Sequence, residues 1–349
     1  MPQHQIYMQR CLELAALGAG SVSPNPMVGA VIVHNDKIIG EGYHRKHGEA
    51  HAEVNAVNMV VNNYVNYAEL LQQATIYVSL EPCAHYGKTP PCADLIIKHR
   101  IPKAVVGCRD PFAQVDGKGI EKLRAAGVEV EVGVLEEECR WLNRRFFTHV
   151  QQHRPYIILK WAQTADGFFA PADGSQHWIT GTEARKLVHQ WRAEEDAILV
   201  GKNTVLADNP QLDNRYAEGK SPKRVIIDRR LELSADMHIY NRKVETLIFN
   251  EIKTDIDGNI KYIALEDFER YVPQYIMYQL YMQDIQSVIV EGGAKTLNAF
   301  IQNGLWDEAR IFTGQSVLGS GIAAPKISGQ NGGSYAVGND QLQLYYRST

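Results

Sequence analysis

His51-Ala52-Glu53 and the run from Pro82-Cys83 to Cys92 bring one imidazole, one carboxyl group and two thiols into a short length of chain. An imidazole and two thiolates suit zinc, which takes N and S ligands in a tetrahedron, and three protein ligands leave the fourth position to water. Water held there ionises near pH ~7, so hydroxide is available at neutral pH. Glu53, two residues from His51, is placed to shuttle that water's proton without binding the metal. Each residue also has a plainer reading: Cys83 and Cys92 suit an apolar interior, and His51 suits the cap of a helix. A closed structural zinc site would recruit His85, Cys108 or His47 as its fourth ligand and would leave Glu53 with no role.

His-x-Glu followed by Pro-Cys is the pattern of hydrolytic zinc deaminases, although eight residues rather than two separate the cysteines here. The joint pattern, with an acid at the right place, favours a catalytic site over a structural one. A second device lies near the other end of the chain. Ser287–Val290 is an apolar strand that runs into Glu291-Gly292-Gly293-Ala294-Lys295-Thr296 and then a helix. Such a turn sets backbone N–H groups and a positive dipole end where a phosphate fits, although Gly-Gly between strand and helix is as often only a tight turn. No Gly-x-Gly-x-x-Gly follows a strand in this half, so the Rossmann dinucleotide fingerprint is absent.

The 349 residues carry 36 Lys+Arg against 40 Asp+Glu, a net charge of −4, with no basic stripe. That balance argues against a nucleic-acid partner or an acidic membrane surface and leaves small, neutral or phosphorylated ligands. No stretch approaches the ~20 unbroken apolar residues of a membrane helix. The first twenty residues interleave Gln, His, Arg and Glu with the apolar positions, unlike a secretion signal, so a cytoplasmic location is expected. Five cysteines, an odd number, make a disulfide framework improbable. All five precede residue 140, and nine of the twelve histidines fall at or before His153, so the soft metal donors crowd into the first part of the chain.

The elements that must position these groups follow from periodicity. At ~100–200 residues per domain the length gives two domains. A helix over 6–17 ends at Gly18 and Gly20; strands at 28–33 and Lys37–Tyr43 turn at Asn35-Asp36; a helix at 51–62 carries His51 and Glu53. Strand Thr75–Leu80, a helix at 92–99, strand 104–107, helix 120–126, strand 128–132 and a helix at 135–148 then alternate, which implies a mainly parallel sheet covered on both faces. The polar segment 149–155 ends in Pro155 and marks the boundary, giving domains 1–150 and 151–349. Beyond it, strands are expected at 156–161, 197–200, 224–227, 246–249 and Ser287–Val290, and helices at 182–192, 266–282 and Ala294–Gln302. The Gly- and Ser-rich tail at 328–338 reads as loop.

Ser23-Pro24-Asn25-Pro26-Met27-Val28-Gly29, Gly42-Tyr43-His44, His51-Ala52-Glu53-Val54 and Ser79-Leu80-Glu81-Pro82-Cys83 through Gly87-Lys88-Thr89-Pro90-Pro91-Cys92 resemble the deaminase domain of the bifunctional riboflavin-biosynthesis deaminase/reductase family, whose cysteine spacing is the longer one. The resemblance implies a cytidine-deaminase-like three-layer domain and zinc-dependent hydrolytic deamination of 2,5-diamino-6-(ribosylamino)-4(3H)-pyrimidinone 5′-phosphate. By position Asn25, His44, Lys88 and Asp110 would face that substrate. Phe112-Ala113 stands where the family has an Asn-containing pair. Leu159-Lys160-Trp161-Ala162-Gln163-Thr164-Ala165-Asp166-Gly167, Trp178-Ile179-Thr180, Trp191-Arg192-Ala193, the run Gly201-Lys202-Asn203-Thr204 to Asp208-Asn209-Pro210, and Val290-Glu291-Gly292-Gly293 match the same family's reductase domain. That domain is similar to dihydrofolate reductase, an α/β fold, and uses NADPH to reduce the ribosyl group of 5-amino-6-(5-phosphoribosylamino)uracil to ribityl. By position Ala162, Trp178, Thr204, Asp208, Gly293, Ala294, Lys295 and Thr296 would contact the nucleotide, with Arg229 a candidate for its 2′-phosphate. Gln176, Arg192, Leu212, Arg215 and Glu291 would contact the substrate, and Gln176 replaces the family's serine.

Three rivals stay open: a deaminase whose second domain has lost activity, a zinc-dependent nucleic-acid editing protein, and a structural zinc module serving assembly. A homo-oligomer is open too, since nothing in the sequence sets the number of subunits.

Overall fold

The computed structural model describes residues 3–86, 90–113, 115–175 and 177–348. The chain divides into two compact units, Met1–Gln152 and His153–Thr349. The first holds helices α1 (Gln3–Ala16), α2 (Ala52–Asn63), α3 (Tyr67–Leu71), α4 (Cys92–Lys98), α5 (Lys118–Ala125), α6 (Glu136–Leu142) and α7 (Arg144–Gln152), and strands β1 (Gly29–His34), β2 (Lys37–Tyr43), β3 (Thr75–Leu80), β4 (Lys103–Cys108) and β5 (Glu129–Val132). The sheet order is β2-β1-β3-β4-β5. Alternate residues point to opposite faces of a strand. Ala30, Ile32, Ile76, Val78, Ala104 and Val106 therefore share one core with Ala52, Ala56 and Val60 of α2 and Ile96 of α4. Val31, Val33, Tyr77 and Val105 share the other with Met8 and Cys11 of α1, Cys139 of α6 and Phe146 and Phe147 of α7. The result is three layers, with the sheet buried on both sides.

Only β3, β4 and β5 run parallel; β1 is antiparallel to both β2 and β3, so the expectation of a mainly parallel sheet needs correcting. The tight turn at Asn35 and Asp36, both at positive φ, folds β1 and β2 into a hairpin. The crossover through α2 then passes over β1, whose direction is reversed. The helix expected at 135–148 divides at Asn143, where φ −96° and ψ 19° leave the helical range. The segment 149–152, expected as linker, is the last turn of α7.

In the second unit the elements run β6 (Tyr156–Gln163), β7 (Phe168–Ala170), α8 (Thr182–Glu194), β8 (Ala197–Gly201), α9 (Lys202–Asp208), β9 (Lys223–Ile227), β10 (Thr246–Asn250), β11 (Asp255–Asp257), β12 (Ile260–Ala264), α10 (Val272–Tyr281), β13 (Ser287–Val290), α11 (Ala294–Gln302), β14 (Glu308–Thr313), β15 (Ile322–Ala323), β16 (Gln330–Val337) and β17 (Asp340–Tyr346). One sheet, ordered β11-β12-β10-β9-β8-β13-β6-β14-β17-β16, has seven parallel strands from β12 to β14 and antiparallel margins. The central strands β8 and β13 are almost wholly Ala, Ile, Leu and Val because helices cover both faces. α10 and α11 lie over Ile157, Leu159, Val225, Phe249 and Val288. α8 and α9 lie over the opposite face.

Two expectations fail here. Residues 266–271 are not helical; α10 starts only after Tyr271, which sits at φ 54°, with Pro273 in its first turn. The tail at 328–338 is not loop, because β16 pairs antiparallel with β17 in spite of its glycines. Among the described residues no helix is long and apolar enough to cross a membrane.

Candidate active sites

His51 occupies the N-cap position of α2, yet its side chain makes no capping bond. Its Nδ1 instead lies 3.3 Å from Cys92 Sγ and 3.7 Å from Cys83 Sγ. Cys83 follows the end of β3 and Cys92 opens α4, whose first backbone N–H donates to Cys83 Sγ at 3.3 Å. The three donor atoms lie within 4.8 Å of one another, and among the described residues no fourth His, Cys, Asp or Glu joins them. Cys108, a possible fourth ligand, is buried in the opposite core and donates to Ser79 O. Hydrogen bonding with Cys92, then with His51, lowers the Cys83 thiol to about 4, while the same bond and burial push Cys92 upward. One imidazole nitrogen and two sulfurs fit a zinc ion. Glu53, in the first turn of α2, is 3% exposed, and burial raises its carboxyl above the ordinary range. A carboxyl group beside a metal-held water is suited to general acid–base work.

Asn25 Nδ2 and His44 Nε2 are 3.1 Å apart, and the His44 ring stands edge-on to His51 with centroids 5.4 Å apart. Asp110 is buried, which pushes its carboxyl up to about 7, and it accepts from Phe112 N at 2.8 Å. Lys88 lies outside the described residues. Two neighbours escaped the sequence reading. The Glu81 carboxylate, two residues before Cys83, accepts from the backbone N–H groups of Asp110, Gly117, Gly119 and Ile120 at 2.9–3.3 Å. Asn143 holds the backbone of Met27 from the joint between α6 and α7. Both bind main chain far away in sequence, so no local pattern marks them.

In the second unit the ends of β8, β9 and β13 lie side by side. Gly292 follows β13 so closely against β8 that a Cβ there would lie 2.5 Å from Val200 Cα. Gly293 N–H donates to Thr204 Oγ1 at 2.8 Å, which ties α9 to the start of α11, where Ala294, Lys295 and Thr296 form the first turn. A turn without side chains at a helix N-terminus suits a diphosphate. Glu291 pairs with Arg192 at 2.8 Å, and Arg192 also donates to Asp213 O. Burial works to raise the Glu291 carboxyl, but the charges of Arg192 and Lys160 outweigh it and hold it at about 2. Glu291 Oε1 and Arg192 Nε are buried with no partner among the described residues. Arg215 N–H donates to His189 Nδ1 at 3.1 Å, and its guanidinium pairs with Asp213.

The remaining residues divide. Ala162 lies on β6, and Asp208 closes α9. Trp178 is exposed under Arg185 rather than in the core, whereas Trp191 is core, packed on Phe312. Leu212 buries its side chain with Ile198 and Val200, so only its backbone, at φ 51°, is left to face a ligand. Arg229 pairs with Glu251 and Glu269. Gln176 lies outside the described residues.

A three-layer unit that gathers His51 and Cys92 from two helix starts and Cys83 from beyond the end of β3, followed by a parallel-sheet unit with a Gly-Gly turn, has the layout of a zinc-site deaminase domain joined to a nucleotide-binding domain. Residues 1–108 match the family "Cytidine and deoxycytidylate deaminase zinc-binding region", and residues 155–343 match "RibD C-terminal domain". The Aquifex aeolicus "Riboflavin biosynthesis protein RibD" is 42% identical over 324 residues, 91% of this chain and 88% of that protein. Its Escherichia coli counterpart is 36% identical over 334 residues, 91% and 89% of the two chains. The crystal structure of a Thermotoga maritima diaminohydroxyphosphoribosylaminopyrimidine deaminase/5-amino-6-(5-phosphoribosylamino)uracil reductase superposes with a TM-score of 0.90 at 37% identity, covering 99% of each chain. The chain belongs to the RibD family, and it is a bifunctional deaminase and reductase of riboflavin biosynthesis.

Proposed function

We propose that the first unit deaminates 2,5-diamino-6-(ribosylamino)-4(3H)-pyrimidinone 5′-phosphate and that the second reduces 5-amino-6-(5-phosphoribosylamino)uracil with NADPH, turning its ribosyl group into a ribityl chain. The observation that carries the reading is His51, Cys83 and Cys92 with their donors within 4.8 Å and buried Glu53 two residues on. His51, Cys83 and Cys92 hold zinc, which when bound supplies Lewis-acid activation of water. Glu53 takes a proton from the attacking water and delivers it to the departing amine, which leaves as ammonia. Asn25 and His44 meet the polar edge of the pyrimidine, with Asp110 as a further contact and Lys88 as a point charge for the phosphate.

In the second unit the first turn of α11 and Thr204 hold the nucleotide, with Ala162, Trp178 and Asp208 against it and Arg229 as the cation for its 2′-phosphate. NADPH supplies the hydride. Glu291 Oε1, buried and unpaired among the described residues, offers an acceptor to the substrate. Arg192 and Arg215 pair with the substrate's phosphate. Gln176 and the backbone at Leu212 complete that contact. The work is done in the cytoplasm on free phosphorylated pyrimidines, without nucleic acid.

Glu53→Gln tests the assignment. It keeps zinc and the rate of NADPH oxidation on the deaminated intermediate, and it loses deamination by about 10²–10⁴-fold. Deamination that survives with zinc still bound would make the site structural, and wild type that oxidises no NADPH would remove the reductase assignment.

A further inference from the structure

We infer that Asn143 is a positioning residue for deamination, fixing the segment that sets Asn25 against His44, the neighbour of His51; this rests on the deaminase reading above. Asn143 is 2% exposed at the joint between α6 and α7. Its side chain makes two bonds to a single residue: Oδ1 accepts from Met27 N–H at 2.8 Å, and Nδ2 donates to Met27 O at 2.8 Å. This reciprocal pair copies one rung of an antiparallel ladder, with a side-chain amide in place of a strand. The segment needs such a rung. Pro24 and Pro26 have no N–H to give, so 23–27 cannot join β1 as a regular strand.

From Met27 the restraint passes along a short path. Met27 lies two residues from Asn25, whose Nδ2 is 3.1 Å from His44 Nε2. His44 Nδ1 is 3.1 Å from Ala50 O, a carbonyl that can only accept, so Nδ1 carries the proton and Nε2 is left to accept from Asn25. His44 also donates its backbone N–H to Val28 O at 3.0 Å, so both sides of the Asn25 contact hang from the same stretch of main chain. The ring of His44 in turn meets His51 edge-on. Only an amide serves at 143: aspartate would face the Met27 carbonyl with a second acceptor, and a shorter side chain would abandon both groups of Met27.

The test uses the full chain, with zinc content and NADPH oxidation on the deaminated intermediate as internal controls in each preparation. Asn143→Ala and Asn143→Asp are expected to keep both controls and to raise the KM of deamination by about tenfold or more, with kcat within about threefold of wild type, the mark of lost substrate positioning. Because Asn143 acts through Asn25, adding Asn143→Ala to Asn25→Ala should raise KM no further than Asn25→Ala alone. Unmoved KM, a multiplied effect in the double variant, or a fall in zinc and kcat with KM unchanged would each overturn the inference. Should Asn143→Ala fail to fold, Asn143→Asp, which keeps the volume and the acceptor for Met27 N–H, carries the same comparison. A wild type that binds zinc and deaminates nothing would instead defeat the deaminase reading itself.

Discussion

At the scale of single residues the two sites hold their charges by opposite means. Burial dominates around Glu53 and Asp110, so both carboxyls are raised. Around Glu291 two cations prevail over burial, so the carboxylate persists far below neutral pH. His189 sits beside Arg192 and Arg215. Burial first, then Arg192 and Arg215, lower it from 6.5 to about 4, and as a neutral ring it accepts the backbone N–H of Arg215. Between about pH 6.5 and 4 the unfolded chain therefore binds a proton that the folded chain refuses. The stability this gives is complete above 6.5 and is lost as pH falls toward 4. His189→Gln removes the titration, so its unfolding temperature should fall less steeply than that of wild type between pH 7 and 4.5. Parallel slopes in thermal melts of the two proteins would show that His189 is not held neutral by the fold.

Among elements, the metal donors depend on how closely α2 lies on β2. A Cβ at Gly42 would lie 2.4 Å from both Ala52 O and Ala56 N, and one at Gly40 would lie 2.5 Å from Ala56 O. The helix that begins at His51 thus rests its backbone directly on strand glycines. Gly42→Ala has no flexible neighbour to displace, so α2 must lift. We expect a loss of about 1–3 kcal/mol of stability from overpacking, and zinc content well below one per chain, because His51 moves relative to Cys83 and Cys92. Urea unfolding and metal analysis of the purified variant check this; full zinc occupancy would mean that the three donors tolerate the shift. The same elements show what the sequence could reveal. Strands such as Thr75–Leu80 and Ser287–Val290 were legible because both their faces are buried, so residue type alone marks them. The His-x-Glu helix was legible because its chemistry is local. By contrast β16 was hidden: the Gly- and Ser-rich segment becomes a strand only because β17 pairs with it. The false helical start at 266 came from apolar spacing that Tyr271 and Pro273 interrupt. Glu81 and Asn143 were silent, since their partners are backbone groups 29–39 and 116 residues away.

For the whole molecule, each unit closes its own buried cores from its own strands and helices. The three candidate metal donors all belong to the first unit, whereas the Gly-Gly turn, Arg192 and Glu291 all belong to the second. The two chemistries therefore draw on different ligands from different folds, and removing one should leave the other. Zinc ligation draws on thiolates that compete with protons, so a strong chelator at mildly acid pH strips the metal most readily. After such treatment and return to neutral pH, deamination should fall by at least about a hundredfold, since the Lewis acid that activates the water is gone. NADPH oxidation on the deaminated intermediate should stay close to its initial rate. Added zinc should restore deamination in wild type and not in Cys83→Ser, which lacks one of the two sulfurs. If chelation silences both reactions and zinc revives both, the second unit depends on the metal, and the separation of the two chemistries along the chain is wrong.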